Sequence, residues 1–525
     1  MRYFKLFISI AFVFICGNLR ANNILISNVT SVTGSGYVQL QFDLSWENSW
    51  YTNATNYDAA WIFFKFKDND GTWRHLSLTN ANNTVTGGYT ITVPADKTGA
   101  FIYRSASGSG TVTLTGIQVG VINLPGSFDV KGFAIEMVRI PSADTYYLGD
   151  GTNASNYYKT GVSSGTPFLV NSNTVTLGTG GTELNDQMSS GFTGPLAASF
   201  PIGYNSTTPF ALYMMKHEIT QGAYRDFLNT LTYTQQTSRT NVAPNSAAGT
   251  FVVAPSATRR NGLKIATPGV ASATPAVYGC DLNGTGGYNE TTDGEWIPEG
   301  YLIWPDVAAF LDWAALRPMT ELEYEKACRG PNAAVLGEVA SGTAAINTNL
   351  LTLNNSGAAN EVVASYPGSV YNSNINYQNS SNGGSGNPMR VGIHATAYAT
   401  RISSGAGYYG CLDLSGNTVE MTVHTGNVAG RSFTGLSGDG TLTTAGDANT
   451  DFWPGINGNT IVLSANTAFG GATGVTGSAG VIYRGGNAGS SAASILVSIR
   501  SGVGSVGGTR GATQSLDGGR GVKSF

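Results

Sequence analysis

Oxygen-bearing side chains recur at alternate positions in one short segment, and their chemistry suits a hard cation. Counted from its first residue, positions 1, 3, 5 and 9 of this segment are Asp281, Asn283, Thr285 and Asn289. Position 6 is Gly286, which allows the sharp turn that such a loop needs. Carboxylate, amide and hydroxyl oxygens are the ligands that calcium prefers in proteins. The spacing therefore predicts a calcium site in this loop.

A turn without metal is the alternative for the same residues. Their spacing is similar to that of the calcium loops of EF-hands and dockerins, but position 12 is Thr292 instead of Glu. Asp293, just beyond it, would have to complete the ligand shell. Asn and Asp side chains also cap glycine-rich turns without any metal. The sequence leaves both interpretations open.

Ligands for softer metals are scattered along the chain. The four histidines are His75, His217, His394 and His424. None is four residues from another, so we do not expect a histidine-held iron site. The cysteines beyond the N-terminal segment are Cys280, Cys328 and Cys411. An odd number is not the pattern of a disulfide scaffold, and we interpret Cys328 and Cys411 as buried apolar side chains.

The N-terminus has the pattern of a secretory signal peptide over residues 1–21. Arg2 and Lys5 precede an apolar stretch, residues 6–16, that is too short to cross a bilayer. We place the cleavage site after Ala21. Cys16 permits a lipoprotein anchor as the alternative. We therefore expect a secreted, periplasmic or cell-surface protein.

The charge of the chain excludes one class of partner. Charged residues make up only 11% of the sequence, against about a quarter in an ordinary globular protein. Removal of the signal peptide changes the formal net charge from −4 to −7. Nucleic-acid binding needs grouped Lys and Arg, and the sequence has no such cluster, so we expect no nucleic-acid partner. No stretch after the signal peptide is long and apolar enough to predict a transmembrane segment.

Residues 22–127 have the pattern of an all-β module. Strands are predicted at residues 37–44, 60–66, 73–78, 89–93, 100–103 and 111–121. The sequence Asp68-Asn69-Asp70-Gly71 predicts a turn between the second and the third of them. Short strands at roughly even spacing favour a β-sandwich.

The pattern changes near residue 130, where we place the start of a second region that extends to residue 525. Helices are predicted at residues 221–231, 307–316 and 321–329. Thr220 can cap the first helix, and Thr320 with Glu323 forms a capping box for the third. Most of the remaining sequence is typical of loops and short strands, with long insertions at 338–410 and 425–480.

Several segments in this region resemble, in order, the motifs of the formylglycine-generating enzyme family, also called sulfatase-modifying factors. Phe210 to Thr220 resembles a strand that ends in Glu-Val-Thr, and Arg317 to Arg329 resembles the Arg-Leu-Pro-Thr-Glu-x-Glu-Trp-Glu helix. Tyr409 to Met421 resembles Gly-Leu-x-Asp-Met-x-Gly-Asn-Val-Trp-Glu-Trp. Tyr483 to Gly486 and Gly518 to Arg520 resemble Arg-Gly-Gly-Ser and Gly-Phe-Arg. The resemblance implies an α+β, C-type-lectin-like fold with little regular secondary structure.

The catalytic segment of that family differs in this chain. In the catalytic members, two cysteines that follow Arg-Gly-Gly hold copper. Between Arg484 and Phe525 this chain has neither Cys nor His. Val419, Met421 and Gly519 also replace aromatic residues of the motifs. Copper(I) selects soft thiolates, so we expect neither copper nor iron here, and no formylglycine formation.

The resemblance implies structural calcium. Carried over by position, the ligands are the side chains of Asp413 and Glu420 and the backbone carbonyls of Gly416 and Thr418. A further family site would map to Asn376 and Tyr377. The alternative is that Asn417 and Glu420 satisfy buried backbone groups without metal.

The function expected from this combination is non-catalytic binding of an extracellular ligand or an envelope protein. The same fold serves as the variable ligand-binding protein of diversity-generating retroelements, whose variable segment also lies near the C-terminus. The corresponding surface here is residues 487–519, with the candidates Asn487, Ser490, Ser491, Arg500, Arg510 and Asp517. The alternative is a divergent metal-dependent oxidase or oxygenase of the same superfamily.

Overall fold

The computed structural model describes most of the chain after the predicted signal peptide. The described residues are 23–34, 37–122, 129–152, 157–162, 165–186, 193–348, 351–366, 371–378, 386–396, 399–458, 474–500, 506, 510 and 514–525. The signal peptide predicted at 1–21 lies outside them. In the described part, no helix has the length and apolar character needed to cross a membrane.

Strands outnumber helices in the described residues. The strands are β1 (Leu25–Gly34), β2 (Tyr37–Asn53), β3 (Asn56–Lys67), β4 (Trp73–His75), β5 (Leu78–Thr84), β6 (Tyr89–Thr92), β7 (Ala100–Arg104), β8 (Gly108–Val121), β9 (Val130–Pro141), β10 (Tyr146–Leu148), β11 (Lys159–Thr160), β12 (Phe168–Val170), β13 (Thr176–Leu177), β14 (Leu184–Asn185), β15 (Gly194–Pro195), β16 (Ala211–Met215), β17 (Leu263–Thr267), β18 (Val277–Cys280), β19 (Arg317–Pro318), β20 (Leu353–Asn354), β21 (Val362–Val363), β22 (Val419–Val423), β23 (Val481–Arg484), β24 (Asp517–Gly518) and β25 (Gly521–Ser524). The helices are α1 (Gln221–Leu228), α2 (Tyr233–Arg239), α3 (Trp304–Trp313), α4 (Glu321–Arg329), α5 (Arg401–Ser404) and α6 (Val428–Arg431).

One large sheet connects the two regions predicted from the sequence. Its main hydrogen-bonded order is β19-β25-β16-β9-β3-β2-β8-β5, and β1, β4, β6 and β7 pair at its sides. Strand β9, which begins at the predicted boundary, pairs antiparallel with β3 from Phe66 opposite Val130 to Asp58 opposite Val138. The sheet is therefore continuous across residue 130.

Strand β3 is buried on both faces, which explains its unbroken apolar sequence. Alternate residues of a strand point to opposite faces. Ala60, Ile62 and Phe64 pack in a cluster with residues of β2 and β8. Trp61 and Phe63 pack in the larger core that contains helix α3. The indole N–H of Trp61 also donates to the Ala314 carbonyl at 2.9 Å. Strand β3 therefore lies between the two cores and contacts both.

Local sequence signals set the ends of the longer helices. The Thr220 hydroxyl accepts a hydrogen bond from the Ala223 N–H at the start of α1, as predicted. The capping box of Thr320 and Glu323 is confirmed at the start of α4, and Gly330 with a φ of 61° follows its last residue. Helix α1 ends at Leu228, three residues before the predicted end, and helix α2 was not predicted.

The strand predictions in residues 22–127 are confirmed in outline. All six predicted segments overlap strands, and the predicted turn at Asp68 to Gly71 contains a glycine with a φ of 83°. Strands β1 and β5 were missed. Both are polar for most of their length, so they lack the alternation of apolar and polar residues that predicts a strand.

Candidate binding and metal sites

Three of the motif segments meet in one small sheet. Strand β22 lies at its centre, with β23 on one side and β24 on the other. Glu420 of β22 is opposite Arg484 in β23 and opposite Gly518 in β24. A further backbone bridge joins Val423 to Thr320, the residue that caps α4. Side chains from distant parts of the sequence are thereby fixed around β22.

A buried network of ion pairs lies where α4 meets this sheet. Arg484 Nη2 is 2.6 Å from Glu325 Oε1, and Arg500 Nε is 2.7 Å from Glu321 Oε2. All four side chains are fully buried. Burial opposes ionisation of Glu321, but the charge of Arg500 outweighs it and holds the pKa of that carboxyl well below its usual range. Arg500, a predicted ligand-binding residue, is thus an interior partner of a charged network.

Two other predicted ligand-binding residues contact protein groups. Arg510 Nε donates to Asp306 Oδ2 at 2.7 Å. The hydroxyl of Tyr483 donates to Asp517 Oδ2 at 2.6 Å, and burial raises the pKa of Asp517 to about 6. Asp517 lies in β24, where it faces Val419 across the small sheet. Both residues hold segments of the fold together.

The remaining three candidates lie in the turn that follows β23. Asn487 and Ser490 are half-buried, and Ser491 is exposed. The Asn487 N–H donates to the Ser490 hydroxyl at 2.9 Å, and the Gly489 N–H donates to the Asn487 side-chain oxygen at 2.9 Å. The turn is therefore closed by its own side chains. Of the six candidates, the structure brings only these three to one stretch of surface.

Hydrogen bonds connect two of the family-derived calcium residues, Asn376 and Thr418, to Asn417 and Glu218. The Asn417 amide donates to Glu218 Oε2 at 2.8 Å, and the Asn376 amide donates to Asn417 Oδ1 at 2.9 Å. The Thr418 N–H donates to Glu218 Oε1 at 2.8 Å. Glu218 was missed as a site residue. Its position at the end of the first motif strand was the available signal, but its partners lie far along the chain.

Three buried carboxyl groups give this site its electrostatic character. Burial raises the pKa of Glu218 well above its usual range, and the negative charge of Asp413 adds to that effect. Burial also raises the pKa of Asp413 and brings that of Glu420 to about 7. Arg520 lowers the pKa of all three, and its Nε lies 2.7 Å from Glu420 Oε1. We call Glu218, Asp413 and Glu420 the carboxylate cluster.

The carboxylate cluster contains one buried oxygen without a hydrogen-bond partner. Glu420 Oε2 is buried and has no hydrogen-bond partner. The Gly392 N–H donates to Asp413 Oδ2 at 2.5 Å. Tyr377, which follows Asn376 in the chain, is buried. A hard cation would give Glu420 Oε2 a partner. In the described residues no three His, Cys, Asp or Glu side chains already form a metal-binding group, so backbone carbonyls, here those of Gly416 and Thr418, would have to complete the shell.

The loop at 281–293 contains the turn contacts of the metal-free alternative. The Thr285 N–H donates to Asn283 Oδ1 at 2.9 Å, which is an Asx-type turn. Lys264 Nζ lies 2.8 Å from Asp281 Oδ2. Asp281 is therefore already paired with a cation from β17.

One carboxylate oxygen in the same loop has no partner. Asp293 is fully buried, its Oδ2 accepts from the Glu290 N–H at 2.7 Å, and its Oδ1 has no hydrogen-bond partner. Asn289 Oδ1 instead accepts from Arg225 at 2.7 Å and from the Cys280 N–H at 3.1 Å. The loop thus has one oxygen free for a cation and others engaged by protein groups.

The segment that holds copper in the catalytic members of the family has no cysteine in this chain. That segment presents the amide of Asn487 and the hydroxyls of Ser490 and Ser491, which are hard oxygen donors. The cysteines Cys280, Cys328 and Cys411 are buried, unpaired and elsewhere in the fold. Burial raises the pKa of the Cys411 thiol to about 12. The residues present do not fit a copper site.

A family profile matches the part of the chain that contains most of the motif segments. A solved structure, Treponema denticola variable protein 1, is 13% identical in sequence, with a TM-score of 0.30 over 74% of this chain and 95% of that chain. The comparison with curated proteins gives no match. The profile of the sulfatase-modifying factor enzyme 1-like domain matches residues 169–503, well over half of the chain. The chain therefore belongs to the sulfatase-modifying factor family.

Proposed function

We propose that this is a secreted or surface protein whose sulfatase-modifying factor domain acts without catalysis, in ligand binding or in envelope structure. The observation that carries the proposal is the lack of Cys and His between Arg484 and Phe525, where the catalytic members hold copper. An ion pair beneath that segment is nevertheless present. Arg484 still pairs with Glu325 beneath the altered turn.

The surface turn that follows β23 supports a binding role. Asn487, Ser490 and Ser491 present small polar groups on a turn that is closed by its own hydrogen bonds. A rigid turn of this kind loses little conformational entropy when it contacts a ligand. Arg500, by contrast, is paired with Glu321 inside the protein and offers no group to a ligand at this turn.

Structural calcium belongs to the same proposal. In the C-type-lectin-like fold that we propose for this domain, calcium would hold loops that lack a sheet of their own. The unpartnered Glu420 Oε2 supports a site formed with Asp413, Gly416 and Thr418. The unpartnered Asp293 Oδ1 supports a second site in the loop at 281–293. We further propose that residues 22–127 form a β-sandwich-like module.

A peptide assay tests the non-catalytic proposal. The mature chain, residues 22–525, is incubated with a Cys-x-Pro-x-Arg peptide and copper under air, beside a catalytic member of the family as the positive control. We expect no aldehyde above the background of copper alone. Aldehyde formation that depends on this protein would overturn the proposal and favour the oxidase alternative.

A further inference from the structure

A large cleft lies away from the motif segments, where β3, β4 and β9 meet the loops that follow α1. It consists of two cavities of about 710 Å³ and 360 Å³ that share the lining residues Thr72, Trp73, Thr230, Leu231 and Thr232. Cavities of this size are typical of small-molecule sites. We call it the lysine–tryptophan cleft, after Lys65, Lys67, Lys131 and Trp73, which line it.

The strand register places these four residues on one face of the sheet. Lys65 is directly opposite Lys131 of β9 and opposite His75 of β4. Lys67 is directly opposite Trp73. Opposed residues in an antiparallel pair point to the same face, as do residues two apart in one strand. Lys67 and Lys131 therefore lie beside Trp73, and Lys65 lies on the same face of the sheet.

This arrangement of lysines is unfavourable without a counter-charge. Like charges directly opposite each other destabilise a sheet. Lys65 is buried, and its ammonium donates to the Gly440 carbonyl at 2.6 Å. The carboxylates of Asp312 and Asp439 act on Lys65, so the charge left without compensation is that of Lys67 and Lys131. Lys67 and Lys131 are exposed, and among the described residues neither forms an ion pair.

Carboxylates that lie farther away do not neutralise the positive charge of Lys67 and Lys131. Asp226 and Asp129 act on Lys131 without forming an ion pair with it. The charged residues that line the smaller cavity are Lys67 and Lys131, with no carboxylate among its lining residues. In the larger cavity, Asp70 already holds Arg74 at 2.7 Å. The smaller cavity is thus suited to an anion.

The aromatic and hydroxyl groups of the cleft indicate which kind of molecule bears the anionic group. Trp73 lines both cavities, whereas Lys131 lines only the smaller one and lies 4.6 Å from the Trp73 ring centroid. The larger cavity leaves the indole available to a flat, partly apolar ring. Its walls carry hydroxyl and amide groups from Thr230, Thr232, Thr234, Gln235, Thr441 and Thr444. A sugar ring combines an apolar face with many hydroxyls, and matches both features.

We propose that the lysine–tryptophan cleft binds an acidic saccharide of the uronic-acid type. The sugar ring packs against Trp73 in the larger cavity, and the carboxylate lies between Lys67 and Lys131 in the smaller one. The threonine and glutamine side chains exchange hydrogen bonds with the hydroxyls. This site is separate from the turn at 487–491 and does not depend on the proposal made for it.

Calorimetric titration of the mature chain with trigalacturonate tests the proposal. The paired ligand is the same trisaccharide with its carboxyl groups reduced to alcohols. We expect the acidic sugar to bind at least roughly tenfold more tightly than the neutral one, because reduction of the carboxylate removes its charge-assisted hydrogen bonds with the lysines. Binding should weaken as salt is raised.

Variants assign the binding to the cleft. The double variant Lys67→Gln/Lys131→Gln should lose roughly tenfold or more in affinity for the acidic sugar, and Trp73→Ala should weaken both sugars. Lys97→Gln, at an exposed lysine outside the cleft, is the matched control and should bind as the parent does. Thermal unfolding checks that each variant folds, and Lys131→Gln alone replaces the double variant if that one does not.

Three results would overturn the proposal. The first is no binding of trigalacturonate, and the second is equal binding of the acidic and neutral sugars. The third is tighter binding of an oligoglutamate peptide or of inorganic phosphate, which would assign the lysines to another class of anion.

Discussion

Two buried charged regions adjoin the same small sheet and differ in their balance. In the network of α4, Glu321 and Glu325 are paired with Arg484 and Arg500, and the pKa of Glu321 is held low. In the carboxylate cluster, three carboxyl groups share Arg520, and all their pKa values are raised. The first region is complete as it stands. The second has one guanidinium for three carboxyl groups, and this missing compensation is the reason why we place the proposed calcium site there and not in the network of α4.

Breaking the ion-pair network of α4 should cause the largest loss in the free energy of unfolding. Arg484→Met removes a buried guanidinium from Glu325 and Glu321, and we expect a loss of about 3–5 kcal/mol in the free energy of unfolding. Urea unfolding measures it. Arg74→Met is the matched control, because Arg74 forms exposed ion pairs that contribute about 0–1 kcal/mol. Equal losses in the two variants would contradict the role of the network.

Calcium should stabilise the unbalanced cluster. A ligand at a hundredfold excess over its Kd adds about 3 kcal/mol to the free energy of unfolding, and we expect a shift of this order between EDTA and calcium. Asp413→Asn should reduce the shift without disturbing the ion pair of Arg520 with Glu420. Asp129→Asn, a change at an exposed residue outside the cluster, should leave the calcium-induced shift unchanged. The same shift in Asp413→Asn as in the parent would place calcium elsewhere.

The pH dependence should separate the two regions. Glu420 has a folded pKa of about 7 against an ordinary 4.5, so its contribution to stability is present below pH 4.5 and is lost as the pH rises through 7. Its size is about 3 kcal/mol at most. Glu321 has a lowered pKa, so its contribution is present above its ordinary pKa and is lost in acid.

Unfolding measured in EDTA from pH 4 to 8, for the parent and Glu420→Gln, tests that prediction. The parent should lose stability toward pH 8 more steeply than Glu420→Gln, and calcium should reverse the loss because it binds the ionised carboxylates. Parallel curves for the two proteins would show that Glu420 does not titrate as described.

The loop at 281–293 should give the smallest effect. Asp293→Asn changes one unpartnered oxygen, so we expect less than about 1 kcal/mol in stability without calcium. If the loop binds calcium, the variant should hold one equivalent fewer by equilibrium dialysis. An unchanged calcium content would leave the Asx turn at Asn283 as the whole explanation of the spacing.

The sequence predicted what depends on neighbours along the chain. Thr220 and Thr320 were identified as helix caps because a cap contacts residues three positions away. Arg500 was predicted at a ligand surface and is buried, because its partner Glu321 lies 179 positions earlier. Glu218 was missed for the same reason, since it binds the Thr418 backbone 200 positions later. No local pattern marks such contacts.

Motif resemblance supplied part of what local patterns could not. It placed Asp413 and Glu420 in one candidate site, and the structure adds Glu218 to them through Asn417 and Thr418. It did not reveal the lysine–tryptophan cleft, because the resemblance begins after residue 130. Lys65 and Lys67 became informative only when the register of β3, β4 and β9 was known.

Metal content tests the central claim most directly, that this chain keeps the family framework and structural calcium without the copper chemistry of the catalytic members. Purified mature protein, residues 22–525, is dialysed mildly and measured by inductively coupled plasma mass spectrometry. We predict one or more equivalents of calcium with neither copper nor iron above background. Stoichiometric copper or iron, or the lack of bound calcium, would contradict the claim.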